Sequence, residues 1–138
     1  MRVRADRKRE LIKAVPLFSH CTKKELERLS SELDEIEVPS GKVLIREGET
    51  GREFVVLVEG TAEVTKNGRR VNLLGAGDFL GEIALISGGA RTATVTTTSS
   101  ADLLVLTDRA FARVTKEMPS VQTSVLKALS ERLAADSL

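Results

Sequence analysis

Asp78–Val95 reads DFLGEIALISGGARTATV, and the reading of this stretch decides the rest. Gly81 lets backbone approach closely, because it has no Cβ. Glu82–Ile86 can form one short helical turn, whose first backbone N–H groups lack intrahelical partners and make a ready anion site. Arg91 stands nine positions beyond Glu82. A guanidinium can hold two phosphate oxygens at once, which an ammonium cannot. An ionised Glu82 only accepts hydrogen bonds, so it suits a sugar hydroxyl and can also orient Arg91. Together these groups describe a cradle for a ribose joined to a phosphate. The spacing fits two plainer readings as well, a surface Arg–Glu ion pair and a glycine that merely turns the chain.

Outward from this stretch the apolar pattern has a period near two, the mark of strands. Ile36 and Val38 alternate with acids, and Val43 and Ile45 with Leu44 and Arg46. Phe54–Val58 is a continuous apolar run of strand length. Ala62 and Val64 alternate with Glu63 and Thr65. Asn67-Gly68 is a two-residue hairpin signal, and Val71 and Leu73 pair back across it. Further strands are predicted at Ala93–Thr97 and Leu103–Leu106. All ten glycines lie between Gly41 and Gly89. Many short strands with glycine turns make an antiparallel sandwich or barrel, with the glycines read as turn geometry except near Gly81.

Both ends return to a helical period. Arg2–Ala14 is charged and helix-compatible until Pro16 breaks it; Leu17 and Phe18 then plug the start of a core. Thr22 opens a second helix, with Glu25 at capping-box spacing and Leu26, Leu29 and Leu33 along one side. Asp108 is placed to cap a helix over Arg109–Lys116, with Phe111, Val114 and Met118 on one face. Pro119 suits the first turn of a last helix, about Pro119–Ala134, with Val121, Val125, Leu126, Leu129 and Leu133 as its apolar stripe. Packing on the barrel, a partner helix and a lid over a pocket would all use such a stripe.

The 138 residues fit one domain of ordinary size. Hydrophobic residues at 41% supply a core, and aromatics at 3% make it an aliphatic one. A net charge of +1 argues against nucleic-acid binding by the domain as a whole. Arg2, Arg4, Arg7, Lys8, Arg9 and Lys13 crowd the start against Asp6 and Glu10; a solvated helix face or frayed terminus fits them, as does a partner or phosphate-backbone contact. The single cysteine, Cys21, excludes an internal disulfide and suits a reducing compartment. No membrane span or signal peptide is read, so the expected location is cytoplasmic. His20 is the only histidine and precedes the strands, which excludes a His-rich metal centre or a Ser-His-Asp triad there. No catalytic residue, metal or cofactor is expected.

The central stretch resembles the phosphate-binding cassette of cyclic-nucleotide-binding domains, the family of the bacterial catabolite activator protein, the regulatory subunits of cyclic-AMP-dependent kinase and cyclic-nucleotide-gated channels. That cassette runs F-G-E-[IL]-A-L and then P-R-[AST]-A-[TS]-V. Here it appears as Phe79, an extra Leu80, Gly81, Glu82, Ile83, Ala84 and Leu85, then Arg91, Thr92, Ala93, Thr94 and Val95. Gly48, Gly51, Phe54 and Gly60 match the strand approach, and Leu74-Gly75 with Gly77-Asp78 the lead-in. Coverage runs from about Pro16 to Leu133. Ala90 replaces the usual proline, which loosens the loop without removing a contact group.

The resemblance implies a jelly-roll-like antiparallel β-roll with N-terminal helices and C-terminal hinge and lid helices, over 16–138, behind a basic helix or tail at 1–15. It implies that Arg91 neutralises a cyclic phosphate and that Glu82 accepts from the ribose 2′-hydroxyl. Backbone N–H groups around Ile83, Ala84 and Thr92 would meet phosphate oxygens, Gly81 would keep the ribose side open, and Leu74, Ile83 and Val95 would form apolar walls. The expected ligand is cyclic AMP, with cyclic GMP as the alternative because of the Thr92 hydroxyl; Val125 or Leu129 would cap the base. The function implied is a sensor module that moves its last helices and signals to an effector, or, alternatively, the excised or degenerate sensor half of a transcription regulator that dimerises.

Overall fold

A computed structural model describes residues 2–81 and 90–137, with side chains at 7–81 and 90–131. The predicted Glu82–Ile86 turn falls outside those residues. The elements are α1 (Arg2–Ala14), a 3-10 turn (Pro16–Phe18), α2 (Lys23–Glu32), β1 (Asp34–Val38), β2 (Val43–Ile45), β3 (Glu53–Glu59), β4 (Ala62–Lys66), β5 (Arg69–Leu74), β6 (Phe79–Leu80), β7 (Thr94–Thr97), β8 (Ala101–Thr107), α3 (Asp108–Glu117) and α4 (Pro119–Ser137). The strands form two four-stranded sheets, β1-β8-β3-β6 and β2-β7-β4-β5. Every pairing is antiparallel. This is the mainly β roll with flanking helices that the glycine-punctuated pattern anticipates.

The two sheets enclose one apolar layer, and the helices cover a second on the outside of the first sheet. Strand alternation divides β3 and β8 between them. Val55, Leu57, Leu103 and Val105 point inward to Ile45, Ala62, Leu74, Leu80 and Val95. Phe54, Val56, Leu104 and Leu106 point outward to Ile12, Phe18, Leu29, Leu33, Phe111, Val114, Met118, Val121 and Val125. The continuous run Phe54–Val58 is therefore a strand with both faces dry. Each such side chain, fully buried, contributes about 1.5–3 kcal/mol. The inner layer is aliphatic, as the composition suggests. The outer one takes all four phenylalanines, and Phe54 lies tilted against Phe79 and Phe111 at centroid distances of 5.6 and 4.9 Å.

The helix starts follow their caps. Thr22 accepts from the Glu25 amide at 3.2 Å while Glu25 accepts from the Thr22 amide at 2.9 Å, which completes the expected capping box. At α3 the cap is Thr107 rather than Asp108: its hydroxyl accepts from the Ala110 amide at 3.1 Å. Asp108 is already helical; its carboxylate accepts from the amide of Arg109 next to it, and its own N–H donates to the Arg52 carbonyl. The last helix runs on to Ser137, and Leu126 of its expected apolar stripe is 54% exposed. Its Val121 and Val125 are buried.

A polar seam joins α2 to the C-terminal helices. Glu25 accepts from Ser120, Arg28 pairs with Glu117, and Glu32 pairs with Arg113. The numbers rise along α2 and fall along α3, so these two helices run antiparallel. Such surface pairs contribute about 0–1 kcal/mol each, and they fix the register of a contact that the phenylalanine layer stabilises. No helix among the described residues is long and apolar enough to cross a membrane.

Candidate functional site

The site grows from the turn between β2 and β3. Gly48 has φ +86°, a conformation that glycine adopts without strain. Its N–H donates to the Arg91 carbonyl at 2.9 Å, and the Arg91 N–H donates back to the Glu49 carbonyl at 2.8 Å. Next to these bonds Thr50 and Ala90 form an isolated antiparallel bridge. The backbone of Arg91 is thus pinned before its side chain is considered.

The side chain is pinned as well. Arg91 is 8% exposed, one of few buried charged residues among those described. Nη1 donates to the Gly81 carbonyl at 2.9 Å and Nη2 to the Glu53 carbonyl at 2.6 Å. Two acceptors on different nitrogens set the plane of the guanidinium, not just its position. Gly81 has φ +99°, and a Cβ there would lie 2.6 Å from the Glu53 oxygen and 2.7 Å from Arg91 Nη1. Glycine at 81 is what allows the arginine to cross the chain at this point. The groups that crowd Gly81 are the Glu53 carbonyl and the Arg91 guanidinium.

Leu74 and Val95, the expected apolar walls, are 8% and 4% exposed and lie in the inner layer of the roll. Thr92, next to Arg91, is exposed. Glu82, Ile83 and Ala84 lie outside the described residues. Val125 does not serve as a base cap in this arrangement: it is 2% exposed and packed in the outer, helix-side layer. The residues that sequence reasoning missed are Glu49 and Glu53, because they act through their carbonyls, which any residue type would supply. Among the described residues no group of three or more His, Cys, Asp or Glu side chains could hold a metal ion.

Residues 35–118 match the family model described as the cyclic nucleotide-binding domain. A cyclic nucleotide-gated potassium channel of Rhizobium etli is 37% identical over 89% of this chain and 34% of its own length. A cAMP-dependent protein kinase regulatory subunit of Mycosarcoma maydis is 38% identical over 72% of this chain and 21% of its own. The chain thus spans between a fifth and about a third of these relatives. Among solved structures, the regulatory domain of Toxoplasma gondii PKA, co-crystallised with cAMP, superposes with a TM-score of 0.83 at 28% identity, over 94% of this chain and 51% of that one. The pinned arginine, the two-layered roll and the matched stretch converge: the chain belongs to the cyclic nucleotide-binding domain family.

Proposed function

We propose that this chain is a sensor for a cyclic nucleotide, cyclic AMP before cyclic GMP, in which Arg91 neutralises the cyclic phosphate. The observation that carries this reading is the buried guanidinium held in a set plane by the carbonyls of Gly81 and Glu53. A charge already removed from water and already oriented loses little further freedom on meeting an anion. Glu82 accepts from the ribose 2′-hydroxyl, and the N–H groups of Ile83, Ala84 and Thr92 face phosphate oxygens. Gly81 keeps the ribose side open, and Leu74, Ile83 and Val95 wall the pocket.

The role is binding and release with no bond made or broken, in a cytoplasmic setting. Residues 16–138 form the nucleotide unit, with α1 appended to it. The ligand acts on a partner protein or an effector domain by favouring one position of α3 and α4 over another. It can shift that balance only by its differential affinity for the two positions. The polar seam and the shared outer layer support this, since they tie α2 to α3 and α4.

Calorimetric titration with cyclic AMP, cyclic GMP and 2′-deoxy cyclic AMP, on the natural chain and on Glu82→Gln, tests the reading. Cyclic AMP should bind more tightly than cyclic GMP. Glu82→Gln should weaken cyclic AMP and leave the deoxy analogue nearly unchanged, because a contact with a hydroxyl vanishes with the hydroxyl. An equal loss for both ligands removes Glu82 from ribose recognition, and no heat from any of the three overturns the sensor role.

A further inference from the structure

Each sheet ends on a strand of marked charge, and the two charges are opposite. β1 is an edge of the first sheet and β5 an edge of the second. An edge strand presents N–H and C=O groups that another strand can take. β1 reads Asp34-Glu35-Ile36-Glu37-Val38, with Asp34, Ile36 and Glu37 exposed. Its Glu35 shares one cation, Arg7, with Asp102 of β8, at 3.7 and 3.4 Å; acid is in excess there. β5 begins Arg69-Arg70-Val71-Asn72-Leu73, exposed throughout, with Val71 at 56% and Leu73 at 57%. The Leu73 amide donates to the neighbouring Asn72 side chain at 2.8 Å, a substitute for the carbonyl that a further strand would supply. Among the described residues, Asp34, Glu37, Arg69 and Arg70 make no ion pair.

Charge decides which edges can meet. Two copies of β1 would bring two acidic edges together, and two of β5 two basic ones, which disfavours the symmetric pairing of an edge with itself. β1 with β5 is the complementary choice. We propose that the free edge of β1 in one copy of this chain takes β5 of a second copy as a parallel strand. In that register Asp34 meets Arg69, Glu35 meets Arg70, Ile36 meets Val71, Glu37 meets Asn72 and Val38 meets Leu73. Acids face cations or an amide, and apolar residues face apolar ones. Antiparallel pairing is commoner in general, but with Ile36 against Val71 it would set Asp34 against Leu73 and Val38 against Arg69. Because the two edges differ, each added copy leaves one edge of each kind open, and the contact repeats from copy to copy. The contact is short, so it is weak and salt-sensitive.

Sedimentation velocity on the whole chain, over a concentration series up to about 1 mM and at low and high salt, tests this. The weight-average coefficient should climb past the dimer value without a plateau, and high salt should reverse the rise. Arg69→Glu and Asp34→Arg each turn one attractive pair into a repulsive one, and each should weaken association roughly three- to tenfold. An equimolar mixture of the two variants should associate more strongly than either alone, because each reversed residue then meets its opposite; this needs Asp34 to stand against Arg69. Should either variant fail to fold, Arg70→Ala decides: it removes one pair and should weaken association about two- to fivefold. A chain that stays monomeric, one that stops at a dimer, a mixture no stronger than its parts, or an Arg70→Ala that associates like the natural chain would each overturn the proposal.

Discussion

Arg91 and Gly81 form one unit: the Arg91 guanidinium donates to the Gly81 carbonyl at 2.9 Å, across a space that a Cβ on residue 81 would fill. The side chain proposed to bear the ligand's charge is therefore aimed by a residue that has no side chain. Gly81→Ala should disturb Arg91 twice, through the 2.7 Å approach to Nη1 and through the φ of +99°. Backbone strain of this kind costs about 1–3 kcal/mol. Titration of the variant should give a cyclic-nucleotide affinity at least about tenfold weaker; an unchanged affinity would separate Gly81 from the placement of Arg91.

Gly60 is the parallel case away from the site. Its φ is +100°, and a Cβ there would lie 2.5 Å from the Ser100 carbonyl oxygen and 2.9 Å from the Ala101 backbone. The backbone of this one segment cannot step aside as a flexible side chain would. Gly60→Ala should lower stability by more than the about 1–3 kcal/mol that the φ alone costs, read as a fall in the urea midpoint, while the folded fraction binds ligand as before. Reading this glycine as a turn residue alone would leave the loss at no more than the φ penalty.

Thr107, not Asp108, caps α3. Thr107→Ala should destabilise the chain by about 1 kcal/mol, and Asp108→Ala by less, because its carboxylate bonds only the amide of Arg109. Thermal melting of the two variants side by side gives the order; the reverse order would return the cap to Asp108.

The strands and hairpin were legible because their causes are local. Asn67 and Gly68 adopt φ of +52° and +79°, the paired positive values of the hairpin turn that their residue types favour. The capping box Thr22–Glu25 was legible for the same reason. The twofold role of β3 and β8 was only half legible: Phe54–Val58 announced a buried strand, but which residues face the sheets and which the helices depends on register. Asp102 and Arg7 are 95 residues apart, and nothing in either neighbourhood signals the other. Phe54 and Phe111 likewise meet only through the pairing of β3 with β8. At the site, Arg91 and Gly81 were named from the cassette itself. The carbonyls that aim Arg91 were not, since backbone oxygens leave no mark on residue type.

The most direct test is calorimetric titration of cyclic AMP into the natural chain, Arg91→Lys and Arg91→Ala. Loss of a charge-assisted pair is worth about 1.5–3 kcal/mol, so Arg91→Ala should bind roughly ten- to over a hundred-fold more weakly. Arg91→Lys should recover little, because an ammonium cannot reach both the Gly81 and Glu53 carbonyls in one plane. Three equal affinities would contradict the account.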